Sequence, residues 1–150
     1  MTIAASRRRV LALGLAAPLM LLCRRAGATP EAMAAAIEAF TGGGTPAETG
    51  ITLDIPLLVE NGNSVPITVS VESSMTEEDH VEEIAVFNEA NPLPDVVRVR
   101  LTPRSGLGRF QTRIRLAGSQ TIIAVARMSD GSLRRAAVSV IVTAPACRES

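Results

Sequence analysis

From Ile51 onward, hydrophobic and polar residues alternate along the chain with a period of two. The alternation is clearest between Val65 and Val71 and again between Arg109 and Leu116. In the second of these segments, arginines occupy one face and apolar residues the other. This period is typical of strands that bury one face, because successive side chains point to opposite sides of a sheet. The sequence therefore predicts strands at 51–60, 65–71, 83–88, 96–101, 109–116, 120–128 and 136–142.

About seven short strands separated by turn residues favour an all-β fold, an immunoglobulin-like β-sandwich. Pro56 interrupts the first predicted strand and indicates an edge position or a bulge there. The pair Asp130-Gly131 predicts a two-residue hairpin turn between the last two strands.

A short helix is predicted ahead of the strands, at 30–40. Thr29 is a suitable N-cap, Pro30 suits the first helical position, and the run of alanines propagates a helix well. The three glycines at 42–44 end it and begin a connector through Gly50. Three apolar residues recur at helical spacing and are expected to pack on the domain rather than bind a ligand: Met33, Ile37 and Phe40.

The N-terminal residues 1–28 have the features of a cleaved export signal. A positive segment, Ser6-Arg7-Arg8-Arg9, precedes thirteen uncharged apolar residues at 10–22. That run is too short to span a bilayer but suits the core of a signal peptide. Ala26-Gly27-Ala28 offers the small residues that a signal peptidase accepts, so we expect cleavage after Ala28. The alternative is an N-terminal membrane anchor.

The arginines of this segment also fit a twin-arginine signal, because Val10 and Leu11 follow Arg7-Arg8-Arg9 as two apolar residues. An ordinary signal with one extra arginine is the alternative. Either signal predicts an exported protein without a membrane anchor in its mature form. The chain then divides into the signal (1–28), a helix and linker (29–50), the sandwich domain (51–142) and a C-terminal tail (143–150).

Loss of the signal changes the charge of the protein. The whole chain has 15 basic and 15 acidic residues, and five of the arginines lie within residues 1–28. Ten arginines against 15 acids leave a mature net charge of about −5, which argues against nucleic-acid binding. Thirteen of the acids lie within 29–97, where there is no arginine, and all ten remaining arginines lie within 98–150. If folding gathers either set into one patch, a partner protein could read it.

Cysteine usage directs attention to the tail. Cys23 would leave with the signal, so Cys147 is the only thiol of the mature chain and no internal disulfide is possible. An unpaired cysteine in an exported protein indicates intermolecular pairing or a reactive thiol. The tail contains Pro145 and no periodicity, so we expect it to leave the last strand as an accessible segment.

Other chemistry is sparse. The single histidine, His80, follows three acids and could bind a metal weakly, but a solvated charged loop is the preferred interpretation. The paired carboxylates stand in no evident cleft and no phosphate-binding glycine motif occurs, so the residues support neither glycosidase chemistry nor phosphate binding. Cys147 remains as a nucleophile that can hold a sulfur adduct or a mixed disulfide. The alternative is an inert tail cysteine.

A series of short motifs follows one another along the chain. They are Phe40-Thr41-Gly42-Gly43, Ile51-Thr52-Leu53-Asp54-Ile55-Pro56, Glu60-Asn61-Gly62-Asn63-Ser64-Val65-Pro66, Met75-Thr76-Glu77-Glu78-Asp79-His80, Asn91-Pro92-Leu93-Pro94, Ser119-Gln120-Thr121 and Ser129-Asp130-Gly131-Ser132.

In combination and order, these motifs resemble the SoxY family, the sulfur-carrier subunit of the SoxYZ complex in bacterial thiosulfate oxidation. The resemblance implies an immunoglobulin-like domain, a periplasmic location, a SoxZ-like partner subunit in a heterodimer, and transient contact with sulfur-oxidising enzymes. It also implies that Cys147 is the covalent attachment point for sulfur intermediates and that the protein is a carrier without a catalytic site or cofactor.

The tail departs from the family pattern, in which glycines flank the carrier cysteine. Here Cys147 stands between Ala144-Pro145-Ala146 and Arg148-Glu149-Ser150. Two hypotheses follow. Either Cys147 is the carrier thiol on a modified arm, or the chain is a SoxY-like module that binds a partner, such as an exported redox enzyme, without carrying sulfur.

Overall fold

The computed structural model describes residues 27–147, which form two packed β-sheets and one N-terminal helix. A three-stranded sheet has the strand order β1-β3-β6, and a five-stranded sheet has the order β2-β8-β7-β4-β5. The predicted all-β sandwich preceded by a short helix is confirmed. The elements are α1 (Pro30–Thr41), β1 (Ile51–Asp54), β2 (Leu58–Val59), β3 (Val65–Val71), β4 (Val81–Asn88), β5 (Asp95–Arg100), a 3-10 helix (Pro103–Ser105), β6 (Arg109–Ile114), β7 (Gln120–Met128) and β8 (Leu133–Val142).

The first predicted strand, at 51–60, is two strands in the structure, which raises the count from seven to eight. β1 pairs antiparallel with β3, whereas β2 pairs parallel with β8 in the other sheet. The chain crosses from one sheet to the other around Pro56. Proline has no N–H to donate to a ladder, so a continuous strand is unfavourable at this position.

The core of the sandwich lies between the two sheets and is built almost entirely from Val, Ile, Leu and Met side chains. β4 shows no alternation of burial because both of its faces are covered. Ile84 and Val86 face the core between the sheets, whereas Ala85 and Phe87 lie under α1. The helix therefore adds a third layer on the outer face of the five-stranded sheet.

Both ends of α1 form as expected from the sequence. The Thr29 side chain accepts a hydrogen bond from the Ala32 N–H at 3.1 Å, and Gly42 ends the helix in the left-handed region at φ 64°. Met33 and Phe40 are buried against the sheet, and Ile37 packs beside them, so the predicted packing face is confirmed.

The hairpin between β7 and β8 differs from the predicted two-residue turn. The Gly131 N–H donates to the Met128 carbonyl, and the Met128 N–H donates to the Ser132 carbonyl, both at 2.9 Å. The loop therefore contains three residues, 129–131, with Gly131 at φ 82°. A third loop residue in the left-handed region is favourable for glycine, which explains why Asp-Gly adopts this longer form.

Among residues 27–147, no helix is both long enough and apolar enough to cross a membrane. The predicted signal lies almost wholly in residues 1–26, outside the described part of the chain.

Candidate functional site

The C-terminal tail does not simply leave the last strand. After β8 ends at Val142, the chain continues across the turn that joins β2 to β3. The Thr143 N–H donates to the Val59 carbonyl at 2.9 Å, and the Gly62 N–H donates to the Ala144 carbonyl at 2.8 Å. The tail is therefore docked on the domain as far as residue 147, which the sequence did not predict.

Gly62 is the point where the tail, the turn and the segment after β6 meet. The Leu116 N–H donates to the Gly62 carbonyl at 2.8 Å, and the Ala146 N–H donates to the Leu116 carbonyl at 2.9 Å. A Cβ on residue 62 would lie 2.4 Å from the Leu116 oxygen and 2.8 Å from the Ala146 nitrogen. Three backbone segments approach so closely here that only glycine fits without displacement.

Cys147 follows directly and is exposed. Its backbone N–H donates to the Asn63 Oδ1 atom at 3.3 Å. Asn63 is in turn oriented by Asn61, whose Oδ1 atom accepts from the Asn63 N–H at 3.0 Å and from Nδ2 at 3.1 Å. The main chain at Cys147 is thus held on the turn, while its thiol is open to solvent.

The tail is held mainly by backbone hydrogen bonds rather than by buried side chains. Among residues 143–147, Ala146 is buried at 7% exposure, whereas the other four are exposed. A segment with so few buried apolar contacts belongs to the part of a structure that opens first. The arrangement can present a thiol at the surface and can release it further by local opening.

His80 lies at the opposite end of the sandwich from Cys147. Its backbone N–H donates to the Ser129 hydroxyl at 3.1 Å, next to the β7–β8 hairpin, and its Nδ1 atom lies 3.0 Å from the Thr76 carbonyl. The ten residues of β8 separate that hairpin from the tail. The structure therefore does not bring the single histidine to the single described cysteine.

The carboxylate of Asp79, next to His80, makes hydrogen bonds within its own loop. Asp79 Oδ2 accepts from the Ser74 N–H at 2.9 Å and from the Ser74 hydroxyl at 2.8 Å. These bonds favour the charged carboxylate and lower the pKa of Asp79 below its ordinary value. Within residues 27–147, no three His, Cys, Asp or Glu residues are arranged to hold a metal ion.

The tail contacts could be recognised only in part from the sequence. The motif Asn61-Gly62-Asn63-Ser64 predicts a turn, and the structure confirms one there. Nothing in the pattern indicates that this turn receives the tail, because the contacts are made by backbone atoms that every residue carries.

Comparisons with known proteins point to one family. The sequence profile of the family described as "Sulfur oxidation protein SoxY" matches residues 37–147. The structure of the sulfur carrier protein SoxY from Chlorobium limicola f thiosulfatophilum is similar to this chain. It has 29% identity and a TM-score of 0.62 over 75% of this chain and 92% of that one.

Superoxide reductases share the fold at lower identity. The neelaredoxin from Ignicoccus hospitalis has 19% identity and a TM-score of 0.55, over 77% of this chain and 94% of that chain. The enzyme from Nanoarchaeum equitans has 12% identity and a TM-score of 0.54, over 64% of this chain and the whole of that chain. No curated protein sequence matches the chain. Since the family profile matches 111 of the 150 residues, the chain belongs to the SoxY family.

Proposed function

We propose that this protein is a periplasmic carrier that holds sulfur-oxidation intermediates covalently on Cys147 and presents them to separate enzymes. Family membership and the likeness to a sulfur carrier protein support a sulfur-carrier role. The observation that carries the proposal for this chain is the exposed Cys147 at the end of a docked tail.

The chemistry requires only a thiolate and an oxidising partner. With thiosulfate as the sulfur compound, the Cys147 thiolate forms a sulfur–sulfur bond with the sulfane sulfur of thiosulfate. The product is an S-thiosulfonate, and two electrons pass to a separate redox enzyme. The carrier itself supplies the nucleophile and an exposed position, so it acts without a catalytic site or cofactor of its own.

In this chain, a tail docked on the domain takes the place of the thin, glycine-rich arm of the family pattern. Five hydrogen bonds hold residues 143–147. Four use the backbone groups of Thr143, Ala144, Ala146 and Cys147, and the fifth runs from the Thr143 hydroxyl to the Val59 carbonyl at 3.3 Å. Each such bond contributes about 0.5–1.5 kcal/mol net, because water replaces it when it opens. Opening the tail therefore costs a few kcal/mol and leaves the core intact. We expect the arm to open when an enzyme takes up the thiol.

Location and partners complete the proposal. A twin-arginine-like signal, cleaved after Ala28, delivers the protein to the periplasm. A SoxZ-like subunit forms a heterodimer with it, and sulfur-oxidising enzymes contact it transiently.

The absence of glycines around Cys147 favours a second candidate function. Pro145 stiffens the approach to the thiol, and Arg148 with Glu149 makes the end of the chain bulkier. On this alternative, the protein is a SoxY-like module that binds a partner, such as an exported redox enzyme, and carries no sulfur.

Intact-mass spectrometry of protein purified from periplasm separates the two functions. We expect mass additions of sulfane sulfur or thiosulfonate that disappear in Cys147→Ser and persist in the matched tail variant Pro145→Ala. A thiol that is always unmodified, with partner binding unchanged in Cys147→Ser, would instead establish the binding module. The same spectrum shows whether the mature chain begins at Thr29.

A further inference from the structure

The outer face of β6 carries a row of arginines on a free sheet edge. β6 pairs with β3 on one side, and no strand within residues 27–147 pairs with its other side. Arg109, Gln111 and Arg113 are exposed and alternate with residues that face inward, and Arg115 continues the row past the end of the strand. We define Arg109, Arg113 and Arg115 as the β6 arginine row.

These charges have no acidic partner among the described residues. The four ion pairs of residues 27–147 use Arg98, Arg100, Arg127 and Arg135. Opposite Arg109 and Arg113 on β3 stand Ser70 and Pro66, neither of which is charged. The mature protein is acidic overall, so the β6 arginine row is a local positive patch on a negatively charged molecule. A partner protein of opposite charge can recognise such a patch.

The surface beside this row is a groove between the free edges of the two sheets. β5 is the edge strand of the other sheet, and Val96 and Val97 line the groove opposite Thr112 and Ile114 of β6. The charged residues of the lining are Arg113, Arg115 and Asp95, and the Asp95 carboxylate is already paired with Arg98. A segment lying along β6 would meet apolar side chains on its inner face and arginines on its outer face. An extended strand in which acidic and apolar residues alternate satisfies both, since its side chains point alternately to the two sides.

A second copy of this chain does not fit the edge by pairing β6 with β6. In an antiparallel pair centred on Gln111, Arg109 of each copy faces Arg113 of the other. Like charges directly opposite one another destabilise a strand pair. The β6 arginine row therefore disfavours pairing between two copies of β6 and favours pairing with an acidic strand.

The row ends next to the proposed carrier thiol. The Arg113 Nη1 atom donates a hydrogen bond to the Ser64 hydroxyl at 3.4 Å. Ser64 follows Asn63, whose Oδ1 atom accepts the hydrogen bond from the Cys147 N–H. The Leu116 carbonyl, just beyond Arg115, accepts the hydrogen bond from Ala146. A protein seated on β6 would therefore stand beside the tail.

We propose that the free edge of β6 is a docking site for an extended acidic segment of a partner protein, which adds to the three-stranded sheet beside the tail. The docking does not require sulfur on Cys147, so it stands whether or not the carrier function does.

A peptide titration tests this proposal on the full mature protein. The probe is an end-blocked seven-residue peptide alternating glutamate and valine, and the same peptide with lysine in place of glutamate is its control. We expect the glutamate peptide to shift the amide NMR signals of residues 109–114. We also expect added salt to weaken the binding of this peptide. The double variant Arg109→Glu/Arg113→Glu should bind at least about tenfold more weakly.

The matched control is Arg100→Glu/Arg135→Glu, which changes the net charge equally but leaves β6 intact. Equal losses in the two double variants, equal binding of the lysine peptide, or shifts confined to other strands would overturn the proposal. So would sedimentation showing a wild-type dimer that Arg109→Glu/Arg113→Glu abolishes, because the edge would then be a contact between copies. Cys147→Ser should bind the glutamate peptide as the wild type does, which separates this test from that of the carrier function.

Discussion

The two ends of the described chain are attached to the same sandwich in opposite ways. At the N-terminal end, α1 inserts side chains into the protein: Phe40 is 3% exposed and its ring meets that of Phe87 edge to face, with centroids 5.9 Å apart. At the C-terminal end, the tail buries only Ala146 and is held by backbone hydrogen bonds. The N-terminal helix is held by buried apolar surface, and the C-terminal tail is held by hydrogen bonds that water can replace.

This difference predicts that α1 stays attached as long as the domain is folded, whereas the tail can detach. Apolar burial contributes about 25 cal/mol per Å² and is lost only when the packed layer comes apart, so α1 should unfold with the domain. Backbone hydrogen bonds at the surface open individually, so the tail should detach while the domain remains folded. The proposed carrier function on Cys147 would use this combination of a stable domain and a tail that can detach.

The largest expected effect is that of Phe40→Ala, which removes the aromatic anchor of α1. We expect it to lower the free energy of unfolding by about 3–5 kcal/mol, because it leaves a cavity beneath the helix. Urea denaturation followed by far-UV circular dichroism measures this, since the chain has no Trp or Tyr for fluorescence. Leu107→Ala, at a side chain 67% exposed, is the control and should change stability by less than about 0.5 kcal/mol. A loss below about 1 kcal/mol in Phe40→Ala would show that the helix is not an integral layer.

The same contrast explains how far the sequence could predict the molecule. The helix was predictable because its information resides in side chains: Thr29 caps it, Pro30 begins it, and Phe40 lies on its apolar face. The docked tail was not predictable, because it depends on backbone atoms of Gly62 and Leu116 meeting across the fold.

The strands show both outcomes. β3 and β7 begin and end where the alternation and the apolar run predict. The prediction of one continuous strand at 51–60 was wrong, because the residues on either side of Pro56 lie in different sheets. Cys147 could be named as a candidate by counting thiols, but its neighbours Asn63 and Gly62 became part of the site only through the fold.

The next effect in size is that of Gly62→Ala, which tests the tail. Its Cβ would lie 2.4 Å from the Leu116 oxygen, so the segments must move apart, and we expect a loss of about 1–3 kcal/mol. Hydrogen exchange at the Ala146 amide should accelerate strongly in this variant. Gly118→Ala is the matched control, because its added Cβ would meet no atom within 4 Å. If the Ala146 amide exchanged equally in both variants, the tail would not depend on this close approach.

A smaller effect is expected at the C-terminal end of α1, where Arg127 reaches back from β7. Its guanidinium lies 4.8 Å from the Phe40 ring centroid, donates to the Phe40 carbonyl and pairs with Glu83. The last turn of the helix has no basic residue of its own, so Arg127 supplies the cation that favours a helix C-terminus.

We therefore expect Arg127→Met to lower stability by about 1–2 kcal/mol without changing hydrogen exchange in the tail. Arg98→Met is the control, since Arg98 lies 5.4 Å from the same ring centroid and has Asp95 as its ion-pair partner. A loss in Arg98→Met as large as that in Arg127→Met would assign the effect to the ring contact rather than to the carbonyl and Glu83.

The smallest effect belongs to Asn63→Ala, which removes the acceptor for the Cys147 N–H. We expect about 0.5–1 kcal/mol, confined to the tail, because one exposed hydrogen bond is lost and water replaces it. Exchange at the Cys147 amide should rise severalfold while the urea midpoint stays close to that of the wild type. Ser64→Ala is the control, since that hydroxyl serves Arg113 rather than the tail. An Asn63→Ala variant that lowered global stability as much as Phe40→Ala would erase the distinction between the two ends, because the tail would then be part of the cooperative core.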